Sequence, residues 1–185
     1  MIRLLAVLVA LSSAASAEEV WPEFPKKGQL VPMGTLGISY ATAGGSSQTQ
    51  VQIAPTLLYL AGDHFVAGGD LVYRSLSTSG SSTTQSATGV DLMLGGAFTL
   101  GPRMSILLLP AVGFLSLSAG SSSRTSVLLG VTVPLLVHIA PHFFVGFGPQ
   151  LAAEVTASQS TSGGGSTDST KITTFNFNGF FGGWI

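Results

Sequence analysis

The feature that most constrains this chain is a two-residue period closing on an aromatic run. From Thr173 to Ile185 the sequence reads TTFNFNGFFGGWI. It puts Phe175, Phe177, Phe181 and Ile185 on one side and Asn176, Asn178, Phe180 and Trp184 on the other. A period of two belongs to a β-strand. An aromatic strand left as an open edge in water invites aggregation. The pattern is better satisfied by the closing strand of a transmembrane β-barrel, with Phe175, Phe177 and Phe181 toward lipid.

Seven further stretches alternate in the same way, at about 33–42, 50–60, 65–75, 88–100, 104–115, 126–139 and 142–156. Each has one almost wholly apolar face, such as Val90, Leu92, Leu94 and Phe98 in the fourth. Asp70, Arg74, Asp91, His138 and Glu154 all fall on the opposite faces. That bias has a physical cause, since a lipid-facing Arg or Lys costs roughly 2–4 kcal/mol at mid-membrane. Eight strands of this length can cross a bilayer. Pro55, Pro110, Pro134 and Pro149 fall inside them and lack the N–H that a closed sheet uses, so bulges or local breaks are expected there.

The connections alternate in length. Those at 61–64, 101–103 and 140–141 are tight, whereas those near 44–50, 77–86, 118–125 and 158–171 are longer and rich in Ser, Thr and Gly. Outer-membrane barrels have short periplasmic turns and longer external loops. Both termini are therefore expected in the periplasm. The predicted fold is all-β, an eight-stranded antiparallel transmembrane β-barrel occupying residues 33–185.

Composition agrees. Of 185 residues 45% are hydrophobic and only 8% charged, with 24 Gly and no Cys. Soluble domains carry about 25% charged residues. The net charge of −1 offers no footprint for nucleic acid. Residues 1–17 read as a secretory signal peptide: Arg3, an apolar run from Leu4 to Leu11, and the small-residue exit Ala15-Ser16-Ala17. A transmembrane anchor would need an apolar run of around 20 residues. Residues 18–32, with three prolines and no period, form a leader; Trp21 and Phe24 there are expected to anchor at the interface or pack beneath the barrel.

The terminal strand resembles the carboxy-terminal assembly signal of bacterial outer-membrane barrels, which usually end in Phe where this chain ends in Trp184-Ile185. From Met33 to Ile185 the pattern resembles the small eight-stranded outer-membrane barrel proteins, the OmpA-like, OmpX-like and OmpW-like group. That group includes structural envelope proteins, adhesins, small-molecule channels and a few lipid enzymes, so the fold does not choose the function. The resemblance implies outer-membrane lipids and the barrel-assembly machinery as partners. An external ligand for the surface loops and a monomeric state are further expectations.

Little in the sequence points to chemistry. Arg74 and Asp91 are expected to face each other across neighbouring strands as an interior ion pair that fixes register, with a gate or ligand clamp as the other reading. His138 and Glu154 lie toward opposite ends of their strands, so a Ser-His-Glu esterase site lacks its geometry. His64, His138 and His142 gather toward one rim without a carboxylate set, so no metal site and no cofactor are expected. Inward Leu107, Leu109, Leu128, Leu136 and Phe144 argue against an open pore. The expected role is non-enzymatic: structural, or presenting polar loops at the surface. A narrow channel for a small or apolar solute is the alternative, and a soluble carrier barrel is disfavoured by the charge-free outer faces. Intact mass of the envelope protein checks the export reading: the mature chain is expected to begin at Glu18, and a species retaining residues 1–17 would overturn it.

Overall fold

The computed structural model describes residues 23–43, 46–78, 85–161, 167–168 and 170–185. They form β1 Leu30–Ala43, β2 Ser46–Leu60, β3 Phe65–Thr78, β4 Gln85–Gly101, β5 Met104–Ala119, β6 Ser122–Thr132, β7 Leu135–Ala140, β8 Phe143–Thr161, β9 Thr167–Asp168 and β10 Thr173–Gly183. From β1 to β6 each strand pairs antiparallel with the next, β8 pairs with β6, β7, β9 and β10, and β10 returns to pair with β1. Strands β6 and β7 lie end to end, both between β5 and β8, so the wall has eight positions. Closure matters because a backbone N–H or C=O facing hydrocarbon has no water to bond.

The alternation places side chains as their period requires. Leu36, Ile53, Leu71, Leu92, Leu151 and Phe175 are exposed on the outer face, while Val31, Leu58, Leu107, Leu136 and Phe144 are buried inside. We refer to the end holding Glu23 and Ile185 as proximal, and to the end holding the long hairpins as distal.

The sixth alternating stretch differs from expectation. It is two strands, interrupted at Val133-Pro134, because Pro134 cannot donate to a neighbour. The wall is bridged there by Leu107 N–H to Pro134 O and Val133 N–H to Pro149 O, each 3.0 Å. Ladder pairs also lapse around Pro55 and Pro110. The polar connection at 118–125 is likewise shorter than its composition suggests. Strands β5 and β6 run on until Ala119 pairs with Ser122, leaving a two-residue turn with Gly120 at a φ of 58°. Glycine is favoured at the first position of such a turn. Ser- and Thr-rich sequence extends the strands here. Residues 79–84 and the GGG at 163–165 lie outside the described residues.

Strand β1 begins at Leu30, inside the segment assigned above to the leader. Residues 23–29 cross the proximal mouth. Gly28 N–H bonds Leu60 O at 2.8 Å, and Thr99 Oγ1 donates to Phe24 O at 3.1 Å. Phe24 turns inward and joins a buried cluster with Val31, Leu58, Leu60, Leu136, Phe144 and Trp184. The proximal half of the lumen is therefore packed as a core.

Inward glycines reflect how closely strands approach in a small barrel. A Cβ on Gly95 would lie 1.9 Å from the carbonyl oxygen of Leu108, which is backbone and cannot step aside. Gly101 has nothing within 4 Å of that position. Gly95→Ala is expected to destabilise the refolded barrel by about 1–3 kcal/mol, the usual cost of overpacking. Gly101→Ala should be near neutral. Urea titration in lipid vesicles measures both.

Candidate functional site

Above the apolar plug the lumen turns polar. Thr35, Gln52, Thr56, Thr132 and Asn178 are buried around its middle. Asn178 donates through Nδ2 to Gln150 Oε1 at 2.9 Å. Strands β3 and β4 add three charged groups to this belt. The ladder sets Asp70 directly opposite Asp91, and Arg74 opposite Ala87. The sequence reading had Arg74 facing Asp91, and the hairpin register corrects that placement. Strands β3 and β4 stay paired up to Leu76 and Gln85, which carries Arg74 distal to Asp91.

Two acidic side chains directly opposite each other would destabilise a ladder. Here Arg74, on the same inward face as Asp70, lines one small cavity with Asp91, which sets a cation beside the opposed carboxyl groups. The two residues of the expected pair therefore share the inward belt with a third, Asp70. Asp91 Oδ1 occupies the space above Gly113, 1.9 Å from where a Cβ would stand, so only glycine admits the carboxylate. Asp70 Oδ1 and Arg74 Nε are buried without a hydrogen-bond partner. Two small cavities adjoin the cluster. One of 10 Å³ lies beside Asp70, Gln52 and Asn178, and one of 20 Å³ beside Arg74, Asp91 and Gln150.

At the proximal end His138 sits among aromatic rings, 4.9 Å from Trp184 and 5.4 Å from Phe24 between ring centroids. Its Nε2 hydrogen bonds Ser105 Oγ at 2.9 Å, a contact with no sequence signal, since nothing in the pattern reports strand stagger. Ser105 is fully buried, and His138 Nδ1 has no partner to orient the ring. A nucleophile–base pair needs an orienting group and an accessible reaction space. Glu154 supplies neither, because it lies far along β8. His64 Nδ1 donates to Ala97 O at 3.2 Å and His142 Nδ1 to Trp184 O at 3.0 Å. Among the described residues no three His, Cys, Asp or Glu side chains come together as a metal site would require.

Glu154 has a different partner. It forms a salt bridge with Arg124, accepts from Ser126 Oγ at 2.7 Å and accepts from Ile172 N–H at 2.8 Å. Arg124 also donates to Thr170 O at 2.6 Å. This clasp ties the entry to β10 onto β6 and β8. Its arginine falls within a stretch that composition had marked as loop.

The ring closes unevenly. Strand β1 pairs with β2 over its whole length, from Leu30–Tyr59 to Ala43–Ser46, and β10 pairs with β8 from Gly183–Phe143 to Thr173–Ala153. Between β1 and β10 the ladder holds only four pairs, from Met33–Gly182 to Leu36–Gly179. Distal to that point the two strands part. A cleft of 160 Å³ opens there, lined by Gly37, Gln50, Gln52, Asn176 and Asn178 from the inner faces and Ile38, Phe175 and Phe177 from the outer. Below it on the outer surface is an apolar groove of 500 Å³ between Leu36, Ile53, Pro55 and Phe181, floored by Gly34.

No family model and no curated protein sequence matches the chain. Solved structures do. The outer membrane protein OprG from Pseudomonas aeruginosa aligns over 86% of this chain and 95% of its own, at 12% identity and a TM-score of 0.52. The translocator domain of autotransporter NalP from Neisseria meningitidis aligns over 96% of this chain at 14% identity and a TM-score of 0.45, and the chain spans 64% of that domain. The fold is that of an outer-membrane β-barrel.

Proposed function

We propose that the chain is a non-enzymatic barrel of a bacterial outer membrane, with its termini in the periplasm and its long hairpins at the cell surface. The reading includes a monomer held by outer-membrane lipids and inserted by the barrel-assembly machinery. Its role is structural, or to present the distal polar hairpins to an external ligand. The observation that carries it is the filled lumen. Phe24, Leu58, Leu60, Leu107, Leu136 and Phe144 pack together across the proximal half. An eight-stranded wall encloses only enough space for side chains to fill. Packed apolar side chains exclude water and leave no hydrated path for ions. The alternative, a narrow channel running end to end, would need that plug to move.

Planar bilayers test this. The purified protein is expected to give no stable ion conductance, and Leu109→Ser combined with Leu136→Ser to begin to create one. Regular conductance steps from the unmodified protein would favour the channel.

Within this reading Arg74, Asp91 and Asp70 lock the register of β3 and β4. Arg74→Met leaves two carboxyl groups opposed without a cation, and is expected to cost about 3–5 kcal/mol, as for a buried ion cluster that loses one partner. Asp91→Asn leaves Arg74 with Asp70 and should cost less. Combining Arg74→Met with Asp70→Asn and Asp91→Asn should recover much of the loss. Strict additivity in urea titrations would mean that the three are uncoupled.

A further inference from the structure

We propose that the distal half of the β1–β10 seam is a binding site for a single-chain amphiphile with an uncharged, hydrogen-donating head, taken up from the surrounding bilayer. It goes beyond a structural role and requires no conductance.

The argument begins with the backbone. Continuing the register of the four formed pairs would set Gly37 opposite Asn178 and Ile38 opposite Phe177. Those pairs are not made, although both strands are fully laddered on their other sides. Unpaired backbone facing hydrocarbon costs several kcal/mol per group, so a stable wall needs a hydrogen-bonding occupant in such a gap. The clasp holds β10 against β8 at the distal end of the seam. Glu154 N–H donates to Ile172 O at 3.0 Å while the Glu154 carboxylate accepts from Ile172 N–H, drawing the start of β10 toward β8.

The lining states what the occupant is. The inner side of the cleft carries the four carboxamides of Gln50, Gln52, Asn176 and Asn178 and no charged group. A carboxylate or phosphate head would enter without a counter-charge. Carboxamides both donate and accept. Asn178 commits Nδ2 to Gln150, and its Oδ1 lies 3.2 Å from the position a Cβ would take on Gly37, so an acceptor faces the seam where the wall has no side chain. The matching head is a hydroxyl or an amide N–H. The outer side of the cleft is Ile38, Phe175 and Phe177, all exposed and apolar, and it meets the groove at Leu36. That groove is walled on both flanks, by Ile53 and Pro55 on one and Phe181 on the other. Its 500 Å³ falls in the range of small-molecule sites, roughly 300–1,000 Å³. It suits one aliphatic chain lying along β1.

The experiment places the barrel in phosphatidylcholine vesicles with a twelve-carbon alcohol bearing a diazirine on its chain. Photolabelled sites are mapped by mass spectrometry. Labelling is expected at Leu36, Ile38, Phe177 and Phe181, at least tenfold above the opposite wall at Leu92 and Leu94. Dodecanol should compete, and dodecane and dodecanoate should not. Gly37→Val and Asn178→Leu are each expected to reduce seam labelling about tenfold. Because the chain has no cysteine, Ile38→Cys with Phe177→Cys supplies a reversible control: oxidation should zip the seam and abolish labelling, and reduction restore it. Folding of each variant is checked by heat-modifiable gel mobility. Labelling spread evenly around the barrel, equal competition by dodecane, or full labelling of the oxidised double-cysteine protein would each overturn the proposal. Selective competition by dodecanoate would overturn the uncharged head.

Discussion

The structure depends on one constraint: in hydrocarbon every backbone N–H and C=O must find its partner within the protein. The ring of strands meets it almost everywhere. Prolines test it, and the wall answers locally. At Pro134 the sixth wall position breaks into β6 and β7, and carbonyls of Pro134 and Pro149 still receive bonds from Leu107 and Val133. The seam between β1 and β10 is where the ladder stops early without a proline to blame. A local break at a missing donor is repaired by neighbours, whereas a parted pair of strands leaves a run of groups on both sides.

A small barrel imposes a second constraint, on the lumen. Eight strands bring neighbouring backbones so close that Gly68 and Gly95 tolerate no Cβ, with carbonyl oxygens of Leu57 and Leu108 at 2.2 and 1.9 Å from it. Space inside is then filled in layers. The proximal layer is apolar and is completed by Phe24 from outside the barrel proper. The middle layer is polar, and its three ionisable groups, Asp70, Arg74 and Asp91, come from β3 and β4. The distal layer is the Arg124–Glu154 clasp. Burying a charge is tolerable only when it is paired and hydrogen bonded, a condition that the Arg124–Glu154 clasp meets with its bonds from Ser126 and Ile172.

These layers are linked through the polar belt. Gln52 and Asn178 line both the seam cleft and the cavity beside Asp70, and Gln150 reaches from there to the cavity beside Arg74 and Asp91. A run of polar side chains therefore leads from the lipid-facing seam to the charged cluster, joined at Asn178 and Gln150 by a hydrogen bond. Its closed end is the apolar plug. Side access to a polar belt and blockage along the barrel axis are compatible because they belong to different layers.

The sequence by itself determined the strand period, the number of wall positions, which face of each strand meets lipid, and the inward side of Asp70, Arg74, Asp91, His138 and Glu154. All of these are local. Successive side chains on a strand point to opposite faces, so face assignment needs no knowledge of neighbours. Only the tertiary structure decided what faces what. That Asp91 opposes Asp70, that Ser105 meets His138, and that Arg124 reaches Glu154 depend on hairpin register and strand stagger, which period two does not encode. The same holds for the seam. Phe175, Asn176, Phe177 and Asn178 alternate as regularly as any strand in the chain. That their neighbour parts from them beyond Leu36 is a property of two strands pulled toward different partners, and no alternation within either one records it.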